Sequence, residues 1–296
     1  MVAQPTTLRM TLRTFVSALG VILAVLLAGV AVPAAWVDQN IVKEEGFVRI
    51  AGSLGSDPEF QNRLATAAVG TFESSVDLPG PIQSLAADAL RNAAMGMQSW
   101  SDYPQAWEET VRNSHRLNFG TVTRAEESAA STALVLDIGP LVRLIRDHFA
   151  EATRIRLEVP AESLVSLGEP SHRQLVERVA AFAPLWWIAA AGALVSALLA
   201  VAAARRRSLA LVFLGLGGLA LAALWTAGAD IAGGMVGSLA SANGVAELFK
   251  NQFLTAARNG FGQWVWIAAV VSGALLVVGV IAAVVSGRQG SRSARS

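Results

Sequence analysis

The sequence predicts a membrane protein: an all-α bundle of four transmembrane helices, arranged one plus three, that carries a mainly helical α+β extracytoplasmic domain. Three observations predict it. Four apolar runs, at about 15–37, 182–204, 209–228 and 264–286, contain no charged residue. Each is long enough to cross a hydrocarbon core of about 30 Å at about 1.5 Å per residue, and in lipid only a segment that satisfies its own backbone hydrogen bonds is stable there. The second observation is the distribution of charge, and the third is the placement of tryptophan.

Net charge is only +1, but it is not spread evenly. Arg9 and Arg13 precede the first run, Arg205, Arg206 and Arg207 join the second to the third, and Arg288, Arg292 and Arg295 follow the fourth. These segments hold eight arginines and no acid, whereas all 22 acidic residues lie between Asp38 and Glu247. The positive-inside rule then predicts cytoplasmic termini and a cytoplasmic turn at 205–208, in a multi-pass protein of the cell membrane. Residues 38–181 and 229–263 fall outside. Trp36, Trp186, Trp187, Trp225, Trp264 and Trp266 all fall at the predicted outer ends of the runs, where an indole buries its ring and keeps its N–H wet.

From the N-terminus, residues 1–14 form a short basic leader and 15–37 the first span. Gly20, Ala24 and Ala28 repeat at four-residue spacing and let a second helix approach closely. The length of the run favours a retained anchor over a cleaved signal peptide, whose cut would fall after Ala34. Residues 38–181 are long enough for one modest core. There Phe47, Ile50, Ala51 and Leu54 share a helical face. Asp57-Pro58 opens a helix with Phe60, Leu64, Ala67, Ala68 and Phe72 inward. Leu78-Pro79-Gly80-Pro81 opens a third with Ile82, Leu85, Ala86, Ala89 and Ala93 inward. Asp102-Tyr103-Pro104 opens a fourth with Trp107, Val111 and Ser114 on one side.

Residues 118–131 read as a polar linker. Beyond it, Ala133–Ile138 is a strand candidate, Gly139-Pro140 starts a helix with Leu141, Val142, Ile145 and Phe149 on one face, and Arg154–Val159 alternates like a half-exposed strand. Ser171 is a candidate cap for the last helix of this domain, which leads into the second span, 182–204, with Pro184 in its first turn. Gly192, Ser196, Ala200 and Ala204 there, and Gly218 and Ala222 in the third span, 209–228, form further small-residue stripes. In 229–263, Val245, Leu248, Phe249, Phe253 and Ala256 make an amphipathic helix ended by Asn259-Gly260. It is expected to lie on the bilayer or under the outer domain. The fourth span, 264–286, leaves a short basic tail, 287–296, expected to be disordered.

The sequence assigns no catalytic, cofactor-binding or metal-binding residue. With no cysteine, the chain has no disulfide and no thiolate metal site. His115, His148 and His172 show no metal-ligand spacing, and there is no HExxH, G-x-S-x-G or Walker motif. Gly215-Leu216-Gly217-Gly218 sits inside a span with no strand before it and is not a phosphate loop. Ser171-His172 adjacency does not set a nucleophile against its base. Asp137, before a Gly-Pro turn, reads first as a turn residue and second as a catalytic carboxylate. Segment 38–181 carries 20 acids against 13 basic residues, which excludes nucleic acid as a partner. The spans lack the midplane charges of an ion-coupled transporter.

Trp36 after the first span, the Phe47–Gln61 stretch with Asp57-Pro58, the Val135-Leu136-Asp137-Ile138-Gly139-Pro140 segment and Pro184 together carry a resemblance that covers most of the chain. With these features it resembles a family of uncharacterised actinobacterial four-span integral membrane proteins with one extracytoplasmic domain after the first span. The resemblance implies plasma-membrane residence and no particular reaction. The function expected is therefore that of a non-enzymatic envelope-binding or scaffold protein. Its partners would be the lipid bilayer and either another membrane protein or an envelope component. A membrane-anchored hydrolase or transferase using Asp137 with a histidine, and an accessory subunit of a transporter, are the alternatives.

Overall fold

A computed structural model describes residues 5–75, 92, 95–120, 134–154, 163–167, 170–239, 241 and 244–293. The elements are α1 (Pro5–Val37), α2 (Glu44–Gly52), α3 (Pro58–Ser75), α4 (Tyr103–Phe119), β1 (Val135–Asp137), α5 (Gly139–Thr153), β2 (Leu164–Ser166), α6 (Pro170–Phe182), α7 (Trp186–Ala203), α8 (Arg207–Gly237) and α9 (Gly244–Ser293). Four helical stretches are long and apolar enough to cross a membrane: Arg13–Val42, Val176–Ala203, Arg207–Gly237 and Ala246–Ser286. The chain divides into two units. One contains Met1–Asp38, Phe182–Gly233 and Asn259–Ser296; the other contains Gln39–Ala181 and Gly234–Arg258.

The first unit is packed through its small residues. A side chain at Gly20 would press on Ala200 and the Ser196 carbonyl, so α1 and α7 meet nearly backbone to backbone there. Ser17 Oγ donates to the Ala200 carbonyl at 2.9 Å across the same contact. Gly215 and Gly218 lie against Leu276 and Ser272, and Gly279 against Val212 and Ser208, which joins α8 to α9. Ala24, Ser196, Ala200, Ala204 and Ala222 are buried, as the stripes predict. Lipid is as apolar as leucine, so close van der Waals contact and interhelical hydrogen bonds hold such helices, and small residues permit both.

The tryptophans divide into two kinds. Trp187 and Trp266 are 58% and 70% exposed, as expected of rings facing an interface. The indoles of Trp186 and Trp225 instead donate to protein groups: Trp186 Nε1 to the buried Asp38 carboxylate at 3.2 Å and Trp225 Nε1 to the Gly29 carbonyl at 3.1 Å. Trp36 packs edge-on against Phe261 at 5.5 Å.

The second unit has its own core. Ala51 and Leu54, Phe60 and Leu64, Trp107 and Val111, Leu136 and Ile138, and Leu141, Ile145 and Phe149 are buried together. Most of the predicted apolar residues of α2, α4 and α5 and of the first turns of α3 lie in this cluster, with Phe47 packed against it. Asp57 caps α3, accepting the Phe60 N–H at 2.8 Å. Trp107 donates its indole N–H to the Ala51 carbonyl at 3.1 Å, and Gly55 is where the ring fits: any Cβ there would overlap it.

Several expectations are revised. Of the two placements expected for the helix in 229–263, packing on the folded domain is the one found, and 244–258 contributes to its core: Leu248 and Phe249 are buried in it, Phe249 lies tilted against Phe60, and Gln252 Nε2 donates to Asp57 Oδ2 at 3.2 Å. Asn259-Gly260 does not end that helix, because α9 runs unbroken to Ser293. A glycine stop needs a positive φ, and no described glycine has one. The apolar run that follows favours continued helix, and residues 287–293 are helical too. α8 likewise extends past both ends of 209–228, and α1 begins ahead of residue 15. Ser171 lies inside α6, which starts at Pro170, so it is not the N-cap. Between α6 and α7, Ala183–Leu185 forms a 3-10 turn at Pro184. Arg154 ends α5 in a left-handed conformation, φ 62°, while the rest of the strand predicted at 154–159 lies outside the described residues. So do the helix predicted from Ile82 to Ala93, apart from Asn92, and most of the 118–131 linker.

β1 pairs antiparallel with β2, Leu136 opposite Val165. Two short strands are marginal by themselves. Here the free edge of β1 is closed by side chains of α4. Asn118 Oδ1 accepts the Val135 N–H at 3.0 Å and Asn118 Nδ2 donates to the Val135 carbonyl at 2.7 Å. One turn earlier, Ser114 Oγ accepts the Asp137 N–H at 2.8 Å. The two N–H groups of β1 that face away from β2 are thus both satisfied, as buried backbone donors must be. Asn118, read from sequence as the start of a linker, is a strand partner made from a side chain.

Candidate functional site

The second unit offers three places where a site could lie, and the residues singled out from the sequence account for the first two. Asp137 is 5% exposed at the end of β1. Its Oδ1 accepts the Gly139 N–H at 2.9 Å and its Oδ2 accepts from Asn113 Nδ2 at 3.2 Å. The first contact folds the carboxylate back over the turn two residues on, the usual way an aspartate stabilises a turn. No histidine is among its partners in the described residues. A carboxylate held from both oxygens by neutral donors is a fixed structural acceptor, so its place before Gly139-Pro140 has a structural reason.

His115 is buried in α4. Its ring stacks on Phe119 at 4.7 Å and tilts against Phe47 at 5.1 Å, and its Nε2 lies 3.1 Å from the Ile41 carbonyl, to which it donates. His148, on α5, stacks on Trp100 with ring centroids 3.8 Å apart and planes 12° apart. Its Nε2 donates to Asp102, 3.2 Å from both carboxylate oxygens. This pair ties α5 to the start of α4, and Asp102 makes no capping bond with its side chain. An acid–histidine pair serves catalysis when the other ring nitrogen meets a nucleophile. His148 Nδ1 meets no hydroxyl among the described residues. The side chain of His172 lies outside the described residues. Among the described residues no cluster of three or more His, Asp or Glu has the geometry to hold a metal ion.

The third place is a groove of about 630 Å³ between α2, the 3-10 turn at Ser53–Ser56 and α4. Arg49, Gln61, Tyr103 and Glu108 line it with the ring of Trp107. Tyr103 is 3% exposed and its hydroxyl has no hydrogen-bond partner among the described residues. Burial pushes its phenol well above the ordinary tyrosine range, so it is a neutral donor at any physiological pH. Gln61 is fixed by donating to the Gly55 carbonyl, and Glu108 pairs with Arg112 along the helix. The groove offers mixed polar and apolar contact, with no nucleophile set against a base. Nothing in the sequence marked it, because Arg49, Gln61 and Tyr103 come together only when α2, α3 and α4 pack.

Compared with known proteins, the chain matches no family model, no curated protein and no solved structure.

Proposed function

We propose that the protein is an integral protein of the plasma membrane that acts without catalysis, through an extracytoplasmic domain that binds an envelope component or another membrane protein. The observation that carries this reading is the use to which the second unit puts its acids and histidines. Asp137 builds a turn, His115 fills the core and His148 ties two helices together, so among the described residues these candidate groups for a hydrolase or transferase are engaged in structure. The groove beside Tyr103 and Trp107 supports a binding role for the same unit.

The topology in this proposal is one span, the outer domain, then three spans, with both termini in the cytoplasm. Support comes from the eight arginines and no acid in the three segments assigned to the inside. It also comes from the core that 39–181 share with 234–258: both lie in the connections assigned to one side, as segments of one folded unit must. The resemblance to actinobacterial four-span proteins agrees with this arrangement.

The test is photocrosslinking in intact cells, using the full-length chain with a photoreactive residue at Glu108 on the rim of the groove and a control at Glu151 on α5. The expected result is one predominant adduct, an envelope polymer or a membrane protein, from position 108 and not from 151. Equal or absent capture at both positions contradicts the proposal.

A further inference from the structure

A second groove, of about 1040 Å³, lies within the first unit between α1 and the start of α8. Its two ends differ. Arg205 and Arg206, with Thr14 and Ser17, line one end, and Val21, Val25, Phe213 and Leu216 line the rest. Both arginines are exposed and neither has an acidic partner among the described residues. Both α1 and α8 are long and apolar enough to cross a membrane, so hydrocarbon and not water faces the apolar part. From Thr14 to Leu26 the groove follows α1 for about 18 Å at 1.5 Å per residue, close to the ~15 Å depth of one leaflet. Its volume exceeds what a site for a drug-sized molecule needs, roughly 300–1,000 Å³.

We propose that this groove holds one anionic phospholipid, with an acyl chain along Val21, Val25, Phe213 and Leu216 and its phosphate between Arg205 and Arg206. The chemistry selects the occupant. An apolar channel one leaflet deep fits an acyl chain. Two guanidiniums at its mouth, with no acidic partner among the described residues, fit a phosphate, which arginine binds with its planar fork of donors. A zwitterionic lipid would fill the channel equally well but would bring its own cation to the arginines. A headgroup phosphate without tails would leave the channel empty. Basic pockets at the ends of transmembrane helices bind anionic headgroups by this combination of charge and shape. In the topology proposed above, the lipid belongs to the cytoplasmic leaflet, but the site itself depends only on residues of α1, α8 and the Arg205–Arg206 turn.

The test is native mass spectrometry of the full-length protein in detergent, with phosphatidylglycerol and phosphatidylcholine supplied in equal amounts. It does not depend on which side of a membrane the turn occupies, so its failure is distinct from failure of the topology. The expected result is a single lipid adduct that favours phosphatidylglycerol by about thirtyfold, given about 1 kcal/mol for each of the two arginines near an anionic lipid. The double variant Arg205→Gln/Arg206→Gln is expected to bring the two lipids near parity, and Arg205→Lys/Arg206→Lys to keep most of the preference. Ala18→Phe, which fills the groove from an exposed position on α1, is expected to lower retention of both lipids. Excess glycerol phosphate is expected to leave the adduct in place. Equal retention of the two lipids, or a preference unchanged in the Gln variant, overturns the proposal. Displacement by glycerol phosphate does so too, as does a shift from dimer to monomer in Ala18→Phe with lipid retention unchanged, which would make the groove an interface between two copies.

Discussion

Asp137 accepts two hydrogen bonds from neutral donors and closes the turn into α5. Removing the side chain in Asp137→Ala orphans the buried Gly139 N–H, which costs about 1–3 kcal/mol. Asp137→Asn keeps an acceptor for that N–H and is expected to cost clearly less. Thermal unfolding of the full-length protein, followed by tryptophan fluorescence, ranks the two. Glu44 makes a prediction about acid. Its carboxylate takes hydrogen bonds from Arg116 at 3.0 Å and Arg112 at 3.3 Å. The Arg116 hydrogen bond, aided by the charges of Arg116 and Arg112, holds it below the usual glutamate range against the opposing effect of burial. A folded-state value lower than the unfolded one means that the contribution is complete above the ordinary carboxylate pKa and disappears as pH falls through the lowered value. Between about pH 5 and pH 3 the wild-type protein should therefore lose more stability than Glu44→Gln, which lacks the charge at every pH. At neutral pH the variant is expected to be weaker by about 0.5–1 kcal/mol, since the pair is partly exposed. Parallel unfolding curves for the two proteins across that range would contradict this.

The helices were legible because their signals are local. Asp57-Pro58 and Tyr103-Pro104 open α3 and α4, and the 3.6-residue spacing of Ile50, Leu54, Trp107 and Val111 marks the buried faces. Gly139-Pro140 announced α5 in the same way, and β1 ahead of it was readable from its apolar run. What local signals cannot carry is pairing. β2 at Leu164–Ser166 has no alternation to announce it and exists because β1 lies beside it. Asn118 looks like any polar residue at a helix end, yet it supplies the missing edge of β1. Asn118→Ala leaves the Val135 N–H and carbonyl without partners and is expected to destabilise the second unit by roughly 2–4 kcal/mol. Loss of amide-exchange protection confined to β1 and β2 would be its signature. The amphipathic pattern at 245–256 was visible, but not what it packs against. Phe249 is only 7% exposed and touches Phe60. Phe249→Ala should therefore cost about 3–5 kcal/mol, like other buried aromatic truncations. It should also expose 39–75 to limited proteolysis, although that segment lies some two hundred residues away. An unchanged digestion pattern would contradict the shared core.

Taken together, the four apolar helices and the separate core of 39–181 with 234–258 make a membrane-embedded part and a folded part. Composition disclosed the first, because hydrocarbon imposes a length and an absence of charge that no soluble segment needs to satisfy. It disclosed the second only in outline, because a core built from two distant stretches of chain leaves no mark on either. A functional site was less legible still: the groove beside Tyr103 is assembled from three helices, and no one of them signals it. The charge asymmetry is the physical basis of the proposed orientation, and the absence of cysteine makes it directly measurable. Single cysteines placed at Ser99, exposed in the folded part, and at Ser291, in the tail, can be labelled with a membrane-impermeant maleimide. In intact cells, Ser99→Cys is expected to be labelled at once and Ser291→Cys only after permeabilisation. Labelling of Ser291→Cys in intact cells, with Ser99→Cys protected until the membrane is opened, would contradict that orientation.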